Sequence, residues 1–317
     1  MKKIPKVVVV GSTNTDMVIK SSRIPTSGET IVGGDFFLAA GGKGANQAVA
    51  AARLGAVVQF VSKIGSDALG DQAVSAYEKE GIDIDLIVRD QSNPTGVALI
   101  MVDQEGENAI SVASGANHAF YESELERASP AIREADVLVL QLELPLPVVS
   151  LAAKIASRAN VPVILDPAPA PQGSLPESLL GDITCIKPNS SEAESLTGIQ
   201  IFDQSSAERA ARILLEMGPS CAIITMGSMG ALVMDKTNTI MCSPMKIRSI
   251  DSTGAGDAFT GAFAFGWALG LTIEGAALLG CQAGAYAATK EGAQPSLPTL
   301  SDLKRFTLAA GAEWILT

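Results

Sequence analysis

The chain has 317 residues, 47% of them hydrophobic, which is enough to bury a sizeable core and fits one large α/β domain with an appendage better than two equal domains. Its 34 acidic and 23 basic residues give a formal net charge of −11, which disfavours nucleic acid and anionic membranes as partners. Four cysteines without CxxC or zinc spacing and a single histidine, His118, disfavour a zinc site and a histidine-based triad. We therefore expect a single domain over residues 1–317, in which any phosphate site is built locally.

The N-terminal residues lead directly into a strand pattern, without the apolar stretch of a secretory signal, and this predicts a cytoplasmic location. Between Asp257 and Lys290 the only charged residue is Glu274, so a membrane span has to be considered. The uninterrupted apolar run is shorter than the ~20 residues that a span needs and is rich in small residues. We expect two buried, closely packed helices here, and no membrane partner.

Apolar runs of strand length alternate with helical patterns over most of the chain. The runs are continuously hydrophobic, which predicts a largely parallel sheet covered by helices on both faces, an α/β fold. The predicted strands are 7–10, 57–61, 137–142, 161–165, 183–186, 221–225 and 231–234. The predicted helices before residue 251 are 44–54, 68–80, 122–134, 147–159, 191–197 and 204–217.

Two regions break this alternation. Residues 17–38 and 97–112 alternate apolar and polar side chains around turn signals such as Ser27-Gly28, with no helix between them. We expect a small antiparallel β lid that stands off the main domain, formed by insertions at about 17–40 and 95–115. An edge extension of the main sheet is the alternative.

Polar side chains follow several of the predicted strands. In open α/β sheets, ligands bind beyond the carboxyl ends of the strands, so these residues predict a lined cleft. Residues of this kind also form turns and cap helices, which is the alternative for each one taken alone. The residues are Asp16, Glu143, Asp166, Asn189 and Thr225.

A glycine-containing segment at 251–257 precedes a helical pattern. Gly254, Ala255 and Gly256 let bare backbone approach a ligand, and free N–H groups at a helix start favour a phosphate. Asp257 follows at once, where a carboxylate is well placed to accept a hydroxyl proton. The alternative is a capped helix in which Asp257 is a favourable acid of the first turn.

A second glycine cluster, 41–47, opens the predicted helix 44–54. It is not a P-loop, because Phe37 and Gly44 stand where that motif needs Gly and Ser or Thr. The dinucleotide fingerprint fails in both clusters, since Gln47 and Phe259 stand where its last glycine belongs. P-loop and nicotinamide chemistry are therefore disfavoured.

Four polar residues near these clusters suit a sugar. Asp16 and Glu143 accept hydrogen bonds, Lys43 donates and Asn46 does both, which is the mixture that vicinal hydroxyls require. Helix capping and solvation are the alternative for Lys43 and Asn46.

Taken together and in this order, the motifs resemble the signatures of the ribokinase-like carbohydrate kinases, nearly from end to end. They lie at 7–16, 25–30, 41–50, 65–67, 95–98, 141–143, 166–170, 189–192, 225–227, 251–257 and 292–296. The resemblance implies transfer of the γ-phosphoryl group of ATP to the 5-hydroxyl of D-ribose, with Mg²⁺ and K⁺. It also implies that the lid covers the sugar and pairs two subunits in a homodimer.

The resemblance assigns roles residue by residue, with Asp257 as the base and Gly254, Ala255 and Gly256 as the anion hole. The residues that match ribose-contacting positions are Asn14, Asp16, Gly42, Lys43, Asn46 and Glu143. Those that match the Mg²⁺, phosphate and adenosine positions are Asn189, Glu192, Thr225, Gly227, Gly230 and Gly256. Those that match K⁺ ligands are the side chains of Asp251 and Ser296 and the carbonyls of Thr253, Ala287, Lys290 and Gly292.

Alternatives remain for the sugar, for the nucleotide and for the class of protein. Asn14 favours ribose over deoxyribose, because a buried amide without its hydroxyl partner is costly. Cys281 stands where Asn or His is expected near adenine, which leaves the nucleotide preference undecided, and Asn189 can simply cap a helix that starts at Ser190. The alternative acceptors are deoxyribose, a nucleoside, a phosphorylated hexose and a keto-sugar acid, and a non-catalytic sugar sensor is the alternative from another class.

Overall fold

The computed structural model describes residues 3–171 and 173–316. Strands and helices alternate along them as the sequence predicts. The strands are β1 (Lys6–Val10), β2 (Asn14–Lys20), β3 (Asp35–Gly41), β4 (Val57–Gly65), β5 (Ile87–Asp90), β6 (Gly96–Val102), β7 (Asn108–Ala113), β8 (Val137–Leu140), β9 (Val163–Leu165), β10 (Cys185–Ile186), β11 (Cys221–Thr225), β12 (Ala231–Asp235) and β13 (Thr239–Cys242). The helices are α1 (Lys43–Arg53), α2 (Ala68–Lys79), α3 (Glu122–Leu125), α4 (Ser129–Glu134), α5 (Leu146–Arg158), α6 (Glu177–Asp182), α7 (Ser190–Thr197), α8 (Gln204–Glu216), α9 (Ala255–Leu269), α10 (Ile273–Ala287) and α11 (Leu300–Ala309).

The main sheet has the strand order β13-β12-β11-β10-β9-β8-β1-β4-β5. All neighbours are parallel except β11 with β12 and β12 with β13. Alternate residues of β1 supply two separate cores: Val7 and Val9 pack with α1, α9 and α10, whereas Val8 and Val10 pack with α5 and α8. A continuous apolar run is needed for this burial on both faces. The predicted parallel sheet, covered by helices on both faces, is confirmed.

The lid is a second sheet with the order β3-β2-β6-β7. Its outer pairs, β2 with β3 and β6 with β7, are antiparallel as predicted, while the central pair of β2 and β6 is parallel. It is a separate sheet and not an extension of the main one. Strand β2 begins at Asn14, before the predicted start at 17, so Asn14 and Asp16 both lie on a lid strand.

Helices α9 and α10 pack closely, as expected. A Cβ atom on Gly266 would lie 3.2 Å from Cα of Ala276, and one on Gly280 would lie 3.0 Å from the ring of Phe259. Gly270 ends α9 in a left-handed conformation, φ 99°, so its spacing from Gly266 reflects a helix end. Within the described ranges, no helix has the length and apolar character that crossing a membrane requires.

Several element boundaries differ from the prediction. The predicted helix 122–134 is interrupted by one 3₁₀ turn, and Pro130 lies at the start of α4, where its missing N–H is tolerated. Strands β5 and β13 and helices α6 and α11 are elements that the sequence patterns did not predict. Strands β5 and β13 have four residues each and form the two edges of the main sheet, and α6 has six residues, so their periodicity is weak.

Candidate active site

Helix α9 begins at a glycine that the local packing requires. Gly254 caps the helix with φ 76°, and a Cβ atom there would lie 2.9 Å from Cα of Ala293. In the part of the chain that the structure describes, no acceptor is found for the N–H groups of Gly256 and Asp257. Two free donors at the positive end of a helix dipole form a site for an anion.

Asp257 lies in the first turn of α9 and is 7% exposed. Its Oδ2 accepts a hydrogen bond from Asn46 Nδ2 and its Oδ1 one from Gln47 Nε2, both at 2.9 Å. Burial raises the pKa of Asp257 and Asp166 adds to the rise, although Lys43 and the two hydrogen bonds oppose it. The carboxylate is therefore held in a fixed orientation with an increased affinity for a proton.

Gln47 connects Asp257 to a buried ion pair. Its Nε2 also donates to Asp166 Oδ2 at 2.8 Å, and the same oxygen lies 3.0 Å from Lys187 Nζ. Gln141 Nε2 donates to Gln47 Oε1 at 2.7 Å. This bond fixes the Gln47 amide so that its NH₂ group faces the two carboxylates. No sequence pattern predicted a role for Gln47, Gln141 or Lys187.

Lys187 is the cation next to the start of α9. A Cβ atom on Gly256 would lie 3.8 Å from its Nζ, and the ammonium group lies 6.0 Å from the ring centroid of Phe259. A fixed positive charge beside free helix N–H groups increases the preference for an anion. The only sequence signal was its place one residue after the predicted strand 183–186.

The proposed sugar residues converge on this point from the lid and from α1. Glu143 accepts hydrogen bonds from the N–H of Lys43, at 2.9 Å, and from Ser12 Oγ. Burial raises the pKa of Asp16 to about 6, with smaller contributions from Glu143 and Asp257. The structure thus brings carboxylates from β2, from the segment after β8 and from α9 into one cleft.

Gly42 and Lys43 occupy the centre of the cleft. Gly42 has φ 91°, and a Cβ atom there would lie 2.8 Å from the Asn14 nitrogen, so only glycine fits. Burial opposes the charge of Lys43, but Asp257, Asp166, Glu143 and Glu192 together raise its pKa above the ordinary value. The surrounding carboxylates therefore favour the charged form of Lys43.

Asn46 has a free acceptor inside the cleft. Its Nδ2 binds Asp257, whereas its Oδ1 is buried without a hydrogen-bond partner among the described residues. A buried acceptor without a partner is costly unless a ligand supplies the donor. A sugar hydroxyl would meet that need while lying next to the Asp257 carboxylate.

Asn189 and Glu192 form a capping box at the start of α7. Asn189 Oδ1 accepts from the N–H of Glu192, and Glu192 Oε2 accepts from the N–H of Asn189, both at 2.8 Å. Asn189 therefore does cap α7, as the alternative expected. Glu192 Oε1 takes part in neither bond of the capping box. Burial, followed by the charge of Asp166, raises the pKa of Glu192. One carboxylate oxygen suits a magnesium ion that keeps most of its waters.

The residues predicted to contact adenosine lie at the end of β11 and in the turn that follows it. Thr225 pairs with Asn189 in an isolated β-bridge, and Gly227 and Gly230 have φ 55° and 90°. A Cβ atom on Gly230 would overlap with the carbonyl oxygen of Cys242, so this turn requires glycine. Cys281 is half-buried and packs against the same apolar core as Cys242.

The proposed K⁺ ligands form a loop cluster beside the start of α9. Asp251 accepts hydrogen bonds from the N–H groups of Thr253, at 2.9 Å, and Gly292, at 2.8 Å. Burial opposes its charge, but these bonds hold its pKa below the ordinary value. Ser296 Oγ donates to the carbonyl of Ala293 at 2.7 Å, and the N–H of Lys290 donates to the carbonyl of Ala287 at 3.0 Å. One carboxylate among backbone carbonyls is a donor set that K⁺ accepts.

Comparisons with known proteins identify the family of the chain. The model of the pfkB family of carbohydrate kinases matches residues 4–300. The ribokinase of Haemophilus influenzae is 42% identical over 94% of this chain and 97% of its own length. The deoxyribokinase of Salmonella typhi is 32% identical over 95% of this chain and 98% of its own length.

A solved structure gives the same result. The Arabidopsis thaliana ribokinase complexed with ribose and ATP superimposes with a TM-score of 0.90, at 32% identity, over 96% of this chain and 99% of the other. The chain therefore shares both the sequence signatures and the architecture of these proteins over nearly its whole length.

Proposed function

Because the chain belongs to the pfkB family of carbohydrate kinases, we propose that it transfers the γ-phosphoryl group of ATP to the 5-hydroxyl of D-ribose, giving D-ribose 5-phosphate. The observation that carries this proposal is the setting of Asp257. It is a buried, oriented carboxylate, and it adjoins free N–H groups and the Lys187 ammonium. Base and anion site are adjacent, as in-line phosphoryl transfer requires.

Asp257 takes the proton of the attacking hydroxyl. Both of its oxygens are held by amide donors, so its orientation is set before the sugar arrives. The developing charge on the phosphoryl oxygens is stabilised by the N–H groups of Gly256 and Asp257 at the start of α9, with Gly254 and Ala255 shaping the turn. Lys187 adds a fixed positive charge at this place.

The sugar lies between the lid and α1. Asp16 and Glu143 accept from its hydroxyls, Asn14 donates, and Asn46 offers its free Oδ1. Gly42 lets the backbone approach, and Lys43 balances the surrounding carboxylates. Burial of polar groups that only a hydroxylated ligand satisfies gives selectivity for a sugar.

The nucleotide lies across the ends of β10 and β11. Thr225, Gly227 and Gly230 contact its adenosine side, while Asn189 and Glu192 face the phosphates through water. Mg²⁺ that arrives with the nucleotide supplies positive charge to its phosphates. The free oxygen of Glu192 supports this assignment.

A potassium ion is held next to the anion hole. The side chains of Asp251 and Ser296 are its proposed ligands, together with the carbonyls of Thr253, Ala287, Lys290 and Gly292. The hydrogen bonds that already join Asp251 to Thr253 and Gly292 support this set, since they bring the two loops together. When bound, the ion stabilises the loop geometry that orients the start of α9.

The lid joins two copies of the chain. Its sheet exposes large apolar side chains, among them Phe36 at 63%, Leu99 at 54% and Ile110 at 55%. Phe36 and Leu99 lie on one face of the sheet and Ile110 lies on the other, and exposed apolar side chains on a sheet face are typical of an interface. A second copy would cover one of these faces. The cytoplasmic location predicted from the sequence stays a prediction.

Deoxyribose is the alternative acceptor that a specific observation favours, because a deoxyribokinase is among the relatives. The buried Asn14 argues for ribose. A non-catalytic sugar sensor is disfavoured, since Asp257 and the free N–H groups are intact.

The deciding experiment measures ADP release from ATP, Mg²⁺ and K⁺ with D-ribose, 2-deoxy-D-ribose, adenosine, fructose 1-phosphate and 2-keto-3-deoxygluconate. We expect D-ribose to give the highest kcat/KM. Asp257→Asn, tested on the same panel, sets the background of uncoupled ATP hydrolysis. A higher kcat/KM for any other acceptor would refute the ribose assignment, and no turnover above that background would refute kinase activity on these sugars.

A further inference from the structure

Asn117 is a buried side chain to which the proposed function gives no role. It ends the 3₁₀ turn Gly115–Asn117 that follows β7, and it is 1% exposed. Its Oδ1 accepts from the N–H of Thr13 at 3.0 Å, and its Nδ2 donates to the carbonyl of Thr13 at 2.9 Å. Because a backbone N–H only donates and a carbonyl only accepts, these bonds determine which end of the Asn117 amide is which.

The fixed orientation of the Asn117 amide also determines the orientation of the Asn14 amide. Asn117 Nδ2 also donates to Asn14 Oδ1 at 2.9 Å. Since the atom that faces Asn14 is a donor, the atom of Asn14 that meets it must be the acceptor, and the Asn14 NH₂ group lies on the other side. A Cβ atom on Gly96 would overlap with both Asn14 Oδ1 and Asn117 Nδ2, so glycine is required beside the pair.

The resulting orientation complements Asp16. Asn14 and Asp16 are two residues apart on β2 and therefore share one face of the strand. A sugar hydroxyl that donates its single proton to the Asp16 carboxylate can only accept from its other neighbour, and the Asn14 NH₂ group is such a donor. With the amide reversed, two acceptors would face the same hydroxyl.

We propose that Asn117 is a positioning residue that fixes the Asn14 amide with its NH₂ group toward the sugar, and so sets the preference for ribose over 2-deoxyribose. This inference rests on the proposed function. The chain of bonds runs from the Thr13 backbone through Asn117 to Asn14 and leaves no freedom for the Asn14 amide to turn. Selectivity thus depends on a residue that does not touch the sugar.

The test compares kcat/KM for D-ribose and 2-deoxyribose in Asn117→Asp and Asn117→Ala. The first variant replaces the donor by an acceptor and turns the Asn14 amide, while the second leaves the amide free. We expect the ratio of kcat/KM for ribose to that for 2-deoxyribose to fall by about tenfold, mainly through the KM for ribose. Thermal unfolding of both variants records any loss of stability, and the second variant serves if the first does not fold.

A double-mutant cycle separates positioning from a general structural effect. In an Asn14→Ala background we expect Asn117→Ala to leave the ratio unchanged, because its effect passes through Asn14. Tyr77→Phe is the matched control, since it removes the 3.1 Å bond from Tyr77 to Thr13 Oγ1 in the same cluster and spares the Asn117 bonds. We expect it to keep the ratio of the wild type.

The outcomes separate this inference from the proposed function. Wild-type protein that does not prefer ribose overturns both. A wild-type preference for ribose that survives in both Asn117 variants overturns this inference alone. So does an equal fall of the ratio with Asn14 absent, or an equal fall in Tyr77→Phe.

Discussion

Around Asp257, buried polar side chains bind one another across distant parts of the chain, whereas the lid leaves large apolar side chains in water. The first region is complete within one chain, since α1, α9 and the ends of β9 and β10 supply its donors and acceptors. The second region buries little of its own surface. The polar cluster around Asp257 therefore forms within a single chain. The exposed apolar side chains of the lid, in contrast, need a partner surface to be buried.

The largest effect is expected where the first region contacts the reacting hydroxyl. Asp257→Asn removes the base but keeps the size of the side chain, so we expect kcat to fall by at least ~10²-fold with little change in the KM for ribose. Steady-state kinetics measure both constants. Near-normal turnover would show that the proton leaves by another route.

Gln47→Leu tests whether the polar cluster controls Asp257. Without the shared amide, Asp257 and Asp166 both lose a donor and Asp257 becomes harder to ionise, although Lys43 and Lys187 remain. In a plot of kcat against pH, we expect the midpoint of the acidic limb to shift to a pH about one unit higher. Gln282→Leu is the matched control, because Gln282 is equally buried but binds the carbonyl of Glu313 far from the cleft. A limb that stays in place, or that moves equally in the control, contradicts the prediction.

Asp16 lies where the two regions meet, and its pKa of about 6 makes a prediction about stability. An acid whose pKa is higher in the folded than in the unfolded chain favours folding at low pH and disfavours it above its folded pKa. We therefore expect Asp16→Asn to raise the free energy of unfolding by about 1–3 kcal/mol at pH 8 and by less as the pH falls through 6 to 4. Denaturant unfolding measures this.

The gain in stability from Asp16→Asn should accompany weaker binding of ribose, because the charged acceptor is gone. Glu107→Gln, at an exposed turn of the lid, controls for the change in net charge. A gain that does not depend on pH, or that the control reproduces, would contradict the assigned cause.

The lid can be tested one face at a time. Phe36 and Leu99 lie on one face by their register with β2, whereas Ile110 and Val112 share the face of Asp16. We expect one of the double variants Phe36→Asp/Leu99→Asp and Ile110→Asp/Val112→Asp to yield a monomer by light scattering. Wild-type protein that is already monomeric, or two dimeric variants, would contradict the proposed interface.

The smallest effect is expected from the monovalent cation. We expect a higher kcat in potassium than in sodium buffer for the wild type, and no difference for Asp251→Asn, because the proposed site loses its only carboxylate. Initial rates at constant ionic strength measure this. Equal wild-type rates in the two buffers would remove the potassium proposal.

The sequence allowed the main sheet to be predicted because β1, β8 and β11 are almost entirely apolar, and burial on both faces needs such runs. It assigned roles to Asp257, Asn46 and Lys43 because glycine clusters mark their helix starts, and those roles stay predictions. Gln47 was not assigned a role, since its partners Asp257 and Asp166 are 210 and 119 residues away. Asn117 was missed for the same reason, being 103 residues from Asn14. Contacts between residues so far apart in sequence form only in the folded chain, so no local sequence pattern predicts them.

The charges around Lys43 favour a phosphate donor that is already bound to a metal ion. Two ammonium groups, of Lys43 and Lys187, share the cleft with a larger number of acids. These acids are Asp16, Glu143, Asp166, Glu192 and Asp257. A triphosphate without a metal would meet mostly like charge in a poorly solvated space, where repulsion is strong. The concentration of the magnesium–nucleotide complex, and not the total nucleotide concentration, would then govern how fast the enzyme works.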